Sequence, residues 1–155
     1  MTEKATKAAS LRAAILNPLA GWQHELISIP EWGGETVAVR EPLLEDRAFW
    51  LEPLRLAAGV EPGDDEDSAR AKYAQVGADV HKQAYARLFV RVLFVETFDG
   101  WQRQFEDGDV NAVARAFSAA HDRVITKALA LSRREVDADG DGKNPSAEIP
   151  NSDSK

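Results

Sequence analysis

The sequence predicts an α+β protein: an N-terminal β-hairpin packed on a mostly helical bundle, followed by a disordered acidic C-terminal tail. Three observations carry this. Between Trp22 and Arg40 the residues alternate with a period of two around a turn rich in proline and glycine. From Leu43 to Leu131 apolar residues recur at three- and four-residue spacing, the period of an amphipathic helix. Beyond Glu135 apolar residues nearly vanish, and 135–155 holds six acidic and two basic side chains, a local net of −4.

Taken in order, residues 1–9 have little to pack and are expected to fray as a flexible N-terminus. One α+β domain is expected over 10–134, with 135–155 as the tail. Ser10 can cap a short helix, Leu11 to Leu16, which Asn17-Pro18 stops. The hairpin pairs roughly 24–29 with 35–40. Its connection is too long for a two-residue turn, so a wide loop carrying Trp32 is expected.

Pro42 suits a helix start, and Leu44, Ala48, Leu51, Leu54 and Ala58 then form an apolar stripe ending at Gly59. Pro53 should kink or divide that helix. The acidic loop 59–68 is a solvated connection. Ser68 then caps a long helix through Tyr73, Val76, Val80, Ala84, Leu88 and Val92. Its second half, Leu88 to Val95, is apolar nearly all round, Arg91 being the exception, and reads alone as either a buried strand or a buried helix; the helical phase continuing from Tyr73 favours helix. Asp99-Gly100 turns the chain, and Asp107 or Asp109 caps a short helix through Val110, Val113 and Phe117. Ser118 caps the last one, whose stripe is Ala120, Val124, Ala128 and Leu131.

Composition excludes several function classes. Without cysteine there are no disulfides, thiol nucleophiles or thiolate metal sites, which fits a cytoplasmic protein. A net charge of −7 opposes nucleic acid as the partner, because phosphate binding needs clustered Lys and Arg. No apolar run is long enough to span a membrane, and no signal peptide precedes the first helix.

The motif search leaves little chemistry. There is no Gly-x-Ser-x-Gly elbow, phosphate-binding loop or dinucleotide fingerprint, so neither catalytic residues nor a cofactor are expected. His24, His81 and His121 are far apart, and His121 reads as a polar residue at the edge of an apolar stripe. One string, Asp137 to Glu148, satisfies the calcium-loop spacing with Asp137, Asp139, Asp141 and Glu148 as candidate metal ligands. Asn144 stands where that loop places an apolar residue, Pro145 follows it, and no exiting helix can form after Ile149-Pro150. The expected metal set is therefore none.

Four tryptophans remain. Trp22 and Trp50 fit a core. Trp32 and Trp101 each lie in a turn beside glycine, where core and interface readings are both open.

The order of parts carries a resemblance. Ile27-Ser28-Ile29-Pro30-Glu31-Trp32-Gly33-Gly34-Glu35-Thr36-Val37-Ala38-Val39-Arg40, with the helix that follows it, resembles the opening of the tail assembly chaperones of long-tailed phages. Phe98-Asp99-Gly100 and Phe105-Glu106-Asp107-Gly108-Asp109-Val110 are similar to that family's acidic turn and helix entry, and Ser118 to Ser132 to its closing helix. The sequence departs from the family in its acidic linker, and in Trp101-Gln102-Arg103-Gln104 where the family has a short polar turn. The resemblance implies a non-enzymatic chaperone that binds the tape-measure protein and keeps it soluble during tail-tube assembly. Its further partners would be the tail-tube protein and a frameshifted longer form of itself. Trp32, Phe98, Trp101 and Phe105 are the expected partner-contacting residues. A structural tail or adaptor protein of the virion, and a calcium-binding module through 137–148, are the alternatives.

Overall fold

The hairpin forms as its alternation predicts. Strand β1 (His24–Ser28) pairs antiparallel with β2 (Thr36–Arg40), with Leu26 opposite Ala38 and Ile27 opposite Val37. The computed structural model describes residues 3–143, with side chains through Arg133. Ahead of the hairpin lies helix α1 (Glu3–Leu16). It begins well before the expected Leu11, because alanine and lysine favour helix even where nothing packs on them.

Helix α2 (Leu44–Ala58) contains Pro53 yet is not divided there. Proline lacks the N–H that would bond the Phe49 carbonyl one turn earlier. A guanidinium nitrogen of Arg87 donates to that carbonyl instead (3.0 Å), while the guanidinium carbon lies 4.5 Å from the Phe49 ring. Gly59 ends the helix with φ +74°, a left-handed conformation that suits glycine.

The expected stripe of α2 faces the wrong way. Of its members only Leu54 is buried, whereas Leu44 is 85% and Leu51 40% exposed. The inward face instead carries Asp46, Phe49 and Trp50. Asp46 accounts for the rotation. Its carboxylate accepts from the Leu43 N–H (2.9 Å), capping the helix, and from Arg40 (3.4 Å) and Arg91 (3.0 Å). Three donors converge on one buried carboxylate, and only this rotation satisfies them.

The single long helix expected from Ser68 is three elements: α3 (Glu66–Ala74), α4 (Ala78–Val92) and strand β3 (Leu93–Thr97). Asp65, not Ser68, is the cap of α3, accepting from the Ser68 N–H (2.7 Å). Gly77 breaks the run by taking an extended conformation that starts α4. The apolar stretch 88–95 is therefore helix only to Val92. At Leu93 the backbone turns extended and pairs with β2, Val39 opposite Leu93 and Ala38 opposite Phe94. Left as a helix, this stretch would leave the inner edge of β2 buried without hydrogen-bond partners. β3 then turns at Asp99-Gly100 into a fourth strand, β4 (Gly100–Arg103).

The sheet runs β1-β2-β3-β4, antiparallel throughout. One face, through Val37, Val39 and Leu93, joins the main core with α4, α5 (Val110–Ala116) and α6 (Ala119–Lys143). Phe89 is central to it. The predicted stripe of α6 is correct, with Ala120, Val124, Ala128 and Leu131 all buried. On the other face Ala38 and Phe94 are covered by Leu19 and flanked by Trp101.

Helix α6 continues past Glu135, where composition predicts that order ends. Once nucleated by its packed turns, each further residue adds a hydrogen bond without a new nucleation cost. Residues 144–155 lie outside the described residues. So does Glu148, while Asp137, Asp139 and Asp141 lie on helical backbone, which does not wrap an ion as a calcium loop must. No described helix is long and apolar enough to cross a membrane.

Candidate protein-binding groove

The loop between β1 and β2 sets one wall of a groove. Pro30–Trp32 forms a single 3-10 turn in which the Trp32 N–H donates to the Ile29 carbonyl (3.0 Å). Gly33 and Gly34 follow with φ of +82° and +73°, two successive left-handed residues that side chains would strain. The outcome is a Trp32 ring turned inward, edge-on to Phe89 (5.9 Å) and to His121 (4.9 Å). Glu31 pairs with Arg123 of α6, which pins the loop; that hydrogen bond holds the Glu31 carboxyl below its usual range. Lys127 of α6 similarly reaches Glu25 of β1 (3.0 Å).

Phe105, just after β4, packs on the other flank of Phe89 (5.7 Å between rings). Between Trp32 and Phe105 lies a cavity of about 800 Å³ open to solvent. Val37, Leu93 and Val95 line it from the sheet, and Ala116, Ser118 and His121 from the junction of α5 and α6. Its charged lining residues are Glu35 and Glu96, both exposed and without an ion pair among the described residues.

His121 deserves its place in the wall through an unusual cap. The Ser118 N–H donates to its Nδ1 (3.0 Å), while the Ser118 hydroxyl accepts from the Ala120 N–H (3.3 Å). Histidine thus supplies the return bond of a capping box, from the position usually held by glutamate or glutamine, while the serine hydroxyl takes the second rather than the third N–H of the helix. Accepting at Nδ1 requires the neutral ring. Burial among Trp32, Phe89 and Phe117 also lowers its pKa.

The four expected contact residues do not form one patch. Trp32 and Phe105 share the groove. Phe98 sits fully exposed at the β3–β4 turn, and half-buried Trp101 packs with the cluster on the opposite sheet face. What the sequence reading missed is the rest of the groove: His121, Val37, Leu93, Val95, Glu35 and Glu96. The Ser118-x-x-His121 spacing was the available signal for the first of these.

The charged cluster below the sheet is closed on itself. Arg91 makes a two-pronged contact with Asp107 (2.8 and 2.9 Å), Asp107 also takes Arg103 (2.8 Å), and Arg103 donates to the Val90 carbonyl (3.0 Å). The hydrogen bond from Arg91 is the main cause holding the Asp107 carboxyl low, and Asp107 in turn raises Arg91. Among the described residues no three His, Asp or Glu side chains group as they would around a metal. His24, His81 and His121 stand on three different elements, β1, α4 and α6.

Fold and groove thus define a class: a small α+β protein, a four-stranded antiparallel sheet backed by helices, that presents a solvent-open groove between Trp32 and Phe105. Residues 10–143 match the family model described as phage tail assembly chaperone, and the chain belongs to that family. Its fold is similar to that of the bacteriophage HK97 tail assembly chaperone, with a TM-score of 0.51 at 23% identity, over 80% of this chain and 94% of that one. Among functionally curated proteins none matches.

Proposed function

We propose that this protein acts without catalysis, in the cytoplasm of an infected cell, as the chaperone that binds the tape-measure protein and keeps it soluble while tail-tube subunits assemble. Family membership across 10–143 supports the tail-assembly role. The observation that carries the binding mode is the open groove between Trp32 and Phe105. An open groove flanked by two aromatic rings is the kind of concave site that takes a partner's side chain. Phe98, wholly exposed at the β3–β4 turn, and half-buried Trp101 on the opposite sheet face are, in this reading, contacts separate from the groove. A net charge of −7 keeps the complex dispersed. The tail-tube protein and a frameshifted longer form of this chain are the further partners of this reading.

Co-expression with the tape-measure protein of the same genome tests it. The wild-type chain raises the soluble fraction of that protein, and Phe98→Ser with Phe105→Ser lowers it. Phe98→Ser alone changes no packing, so its effect reads binding. Unchanged solubility in the double variant removes these contact residues. Recovery of the chain in purified particles would favour a structural tail component instead.

A further inference from the structure

We infer that His121 presents a fixed hydrogen-bond donor to the Trp32–Phe105 groove, and that a partner lays a main-chain carbonyl of an extended segment against it. This deepens the chaperone reading, on which it rests for the identity of the polypeptide that supplies the segment.

The cap on α6 decides which ring nitrogen carries the proton. Nδ1 accepts from the Ser118 N–H (3.0 Å), so it is bare, and a neutral imidazole then holds its proton on Nε2. His121 is only 8% exposed, yet it lines the groove, and its Nε2 has no hydrogen-bond partner among the described residues. The rings of Trp32, Phe89 and Phe117 lie 4.9, 4.7 and 5.0 Å from its own and offer no acceptor. The groove is the side from which one can come. A buried donor without an acceptor is costly, so an arriving acceptor gains what the free protein lacks.

The acceptor is neutral. A carboxylate against Nε2 would stabilise the doubly protonated ring, whose Nδ1–H would then meet the Ser118 N–H head-on. A side-chain amide fits less well than the main chain. Its carbonyl shares a carbon with an NH2 group, and the three rings have nothing to accept those donors. In an extended segment the carbonyl and the N–H of one peptide group point to opposite sides, so only the carbonyl faces His121. The mixed lining agrees: Thr36, Gln104 and Ser118 stand among Trp32, Val95 and Phe105. A peptide chain, which alternates polar amides with side chains, matches that mixture, and about 800 Å³ gives it room.

The test uses the full chain, isotope-labelled on its histidine rings for NMR, and the capped peptide acetyl-Ala-Phe-Ala-amide. All acceptors of that peptide are amide carbonyls. Four further versions each replace one carbonyl by a thiocarbonyl, a weak acceptor. The free protein is expected to show His121 bare at Nδ1 and protonated at Nε2. The parent peptide should move the Nε2 proton downfield, and one thio version should bind about tenfold more weakly, a difference of about 1.4 kcal/mol.

Two variants separate donor from cap. His121→Gln and His121→Glu can both accept from the Ser118 N–H, but only glutamine can also donate to the groove. Glutamine should bind the parent peptide within about threefold of wild type, and glutamate at least about tenfold more weakly, at matching melting temperatures. A purely structural histidine would make the two variants alike. The thio series needs no variant, so a misfolded glutamate protein leaves the test intact.

A proton on Nδ1, equal binding of all five peptides, no response of the His121 ring at millimolar peptide, or equal loss in both variants overturns the inference. So does a concentration-dependent dimer that His121→Glu abolishes, since the occupant would then be a second copy. Co-expression with the tape-measure protein separates this from the chaperone reading. If His121→Glu still keeps that protein soluble, the groove assignment fails and the chaperone reading stands. If the peptides behave as expected yet wild type leaves the tape-measure protein insoluble, the reverse holds.

Discussion

Helices α1 and α4 have nearly the same length, 14 and 15 residues, and opposite circumstances. α4 buries Ala84, Ala86, Leu88, Phe89, Val90 and Val92 between α2, the sheet and α6. α1 buries nothing, although it carries Leu11, Ile15 and Leu16, each more than 60% exposed. The first is held by tertiary contacts. The second rests on alanine, lysine and local hydrogen bonds, which alone are marginal at this length. The protein therefore concentrates its stability around Phe89 and leaves apolar surface at its N-terminal end outside that account.

The largest effect that could break this comparison is expected at Phe89. Phe89→Ala removes the ring on which Trp32, Phe105 and His121 all pack, and should cost about 3–5 kcal/mol in urea unfolding. It should also collapse both walls of the groove. A loss under about 1 kcal/mol would mean that α4 is no more central than α1.

A smaller effect, of about 1 kcal/mol, is expected from pH acting on the neighbouring cap. Burial lowers the pKa of His121 in the folded state, so the unfolded chain binds the proton more readily. The stability that neutral His121 contributes is then complete above the ordinary histidine value near pH 6.5 and is lost as pH falls through the lower folded-state value. The groups around the ring are Trp32, Phe89, Phe117 and the Ser118 backbone, none of which titrates here. Melting temperature should therefore drop between pH 7 and 5. His121→Gln, which can keep the cap, should flatten that drop; an unchanged slope would assign it to other groups.

The smallest effect belongs to α1. Leu11→Glu with Ile15→Glu should change unfolding free energy by no more than about 0.5 kcal/mol, because neither side chain is buried. A larger loss would show that α1 packs on the rest of the chain in solution and would sharpen the contrast into one of degree.

Legibility in the sequence followed the same division. The hairpin was readable because its period of two is strict and its turn carries Pro30, Gly33 and Gly34. The α6 stripe was readable because Ala120, Val124, Ala128 and Leu131 lie on one helical face and a cap precedes them. The stripe of α2 misled, since Leu44 and Leu51 have the right spacing but Asp46 has the stronger claim on the interior. Leu88 to Val95 misled because a run that is apolar at every position but Arg91 has almost no period to read. For the groove, Trp32 and Phe105 were singled out as contacts, but nothing in their spacing announced that Phe89 brings them together.

By itself, then, the sequence determined the α+β class, the hairpin with its Pro-Glu-Trp-Gly loop, the closing helix and the family. Each is a local matter of period, capping or backbone preference, complete within one segment. Only the tertiary structure decided that α4 gives way to β3 at Leu93, that α2 turns its leucines outward, and that Trp32, Phe105 and His121 meet. Those outcomes depend on satisfying groups far apart in the chain: the open edge of β2, the carboxylate of Asp46 and the faces of one phenylalanine ring.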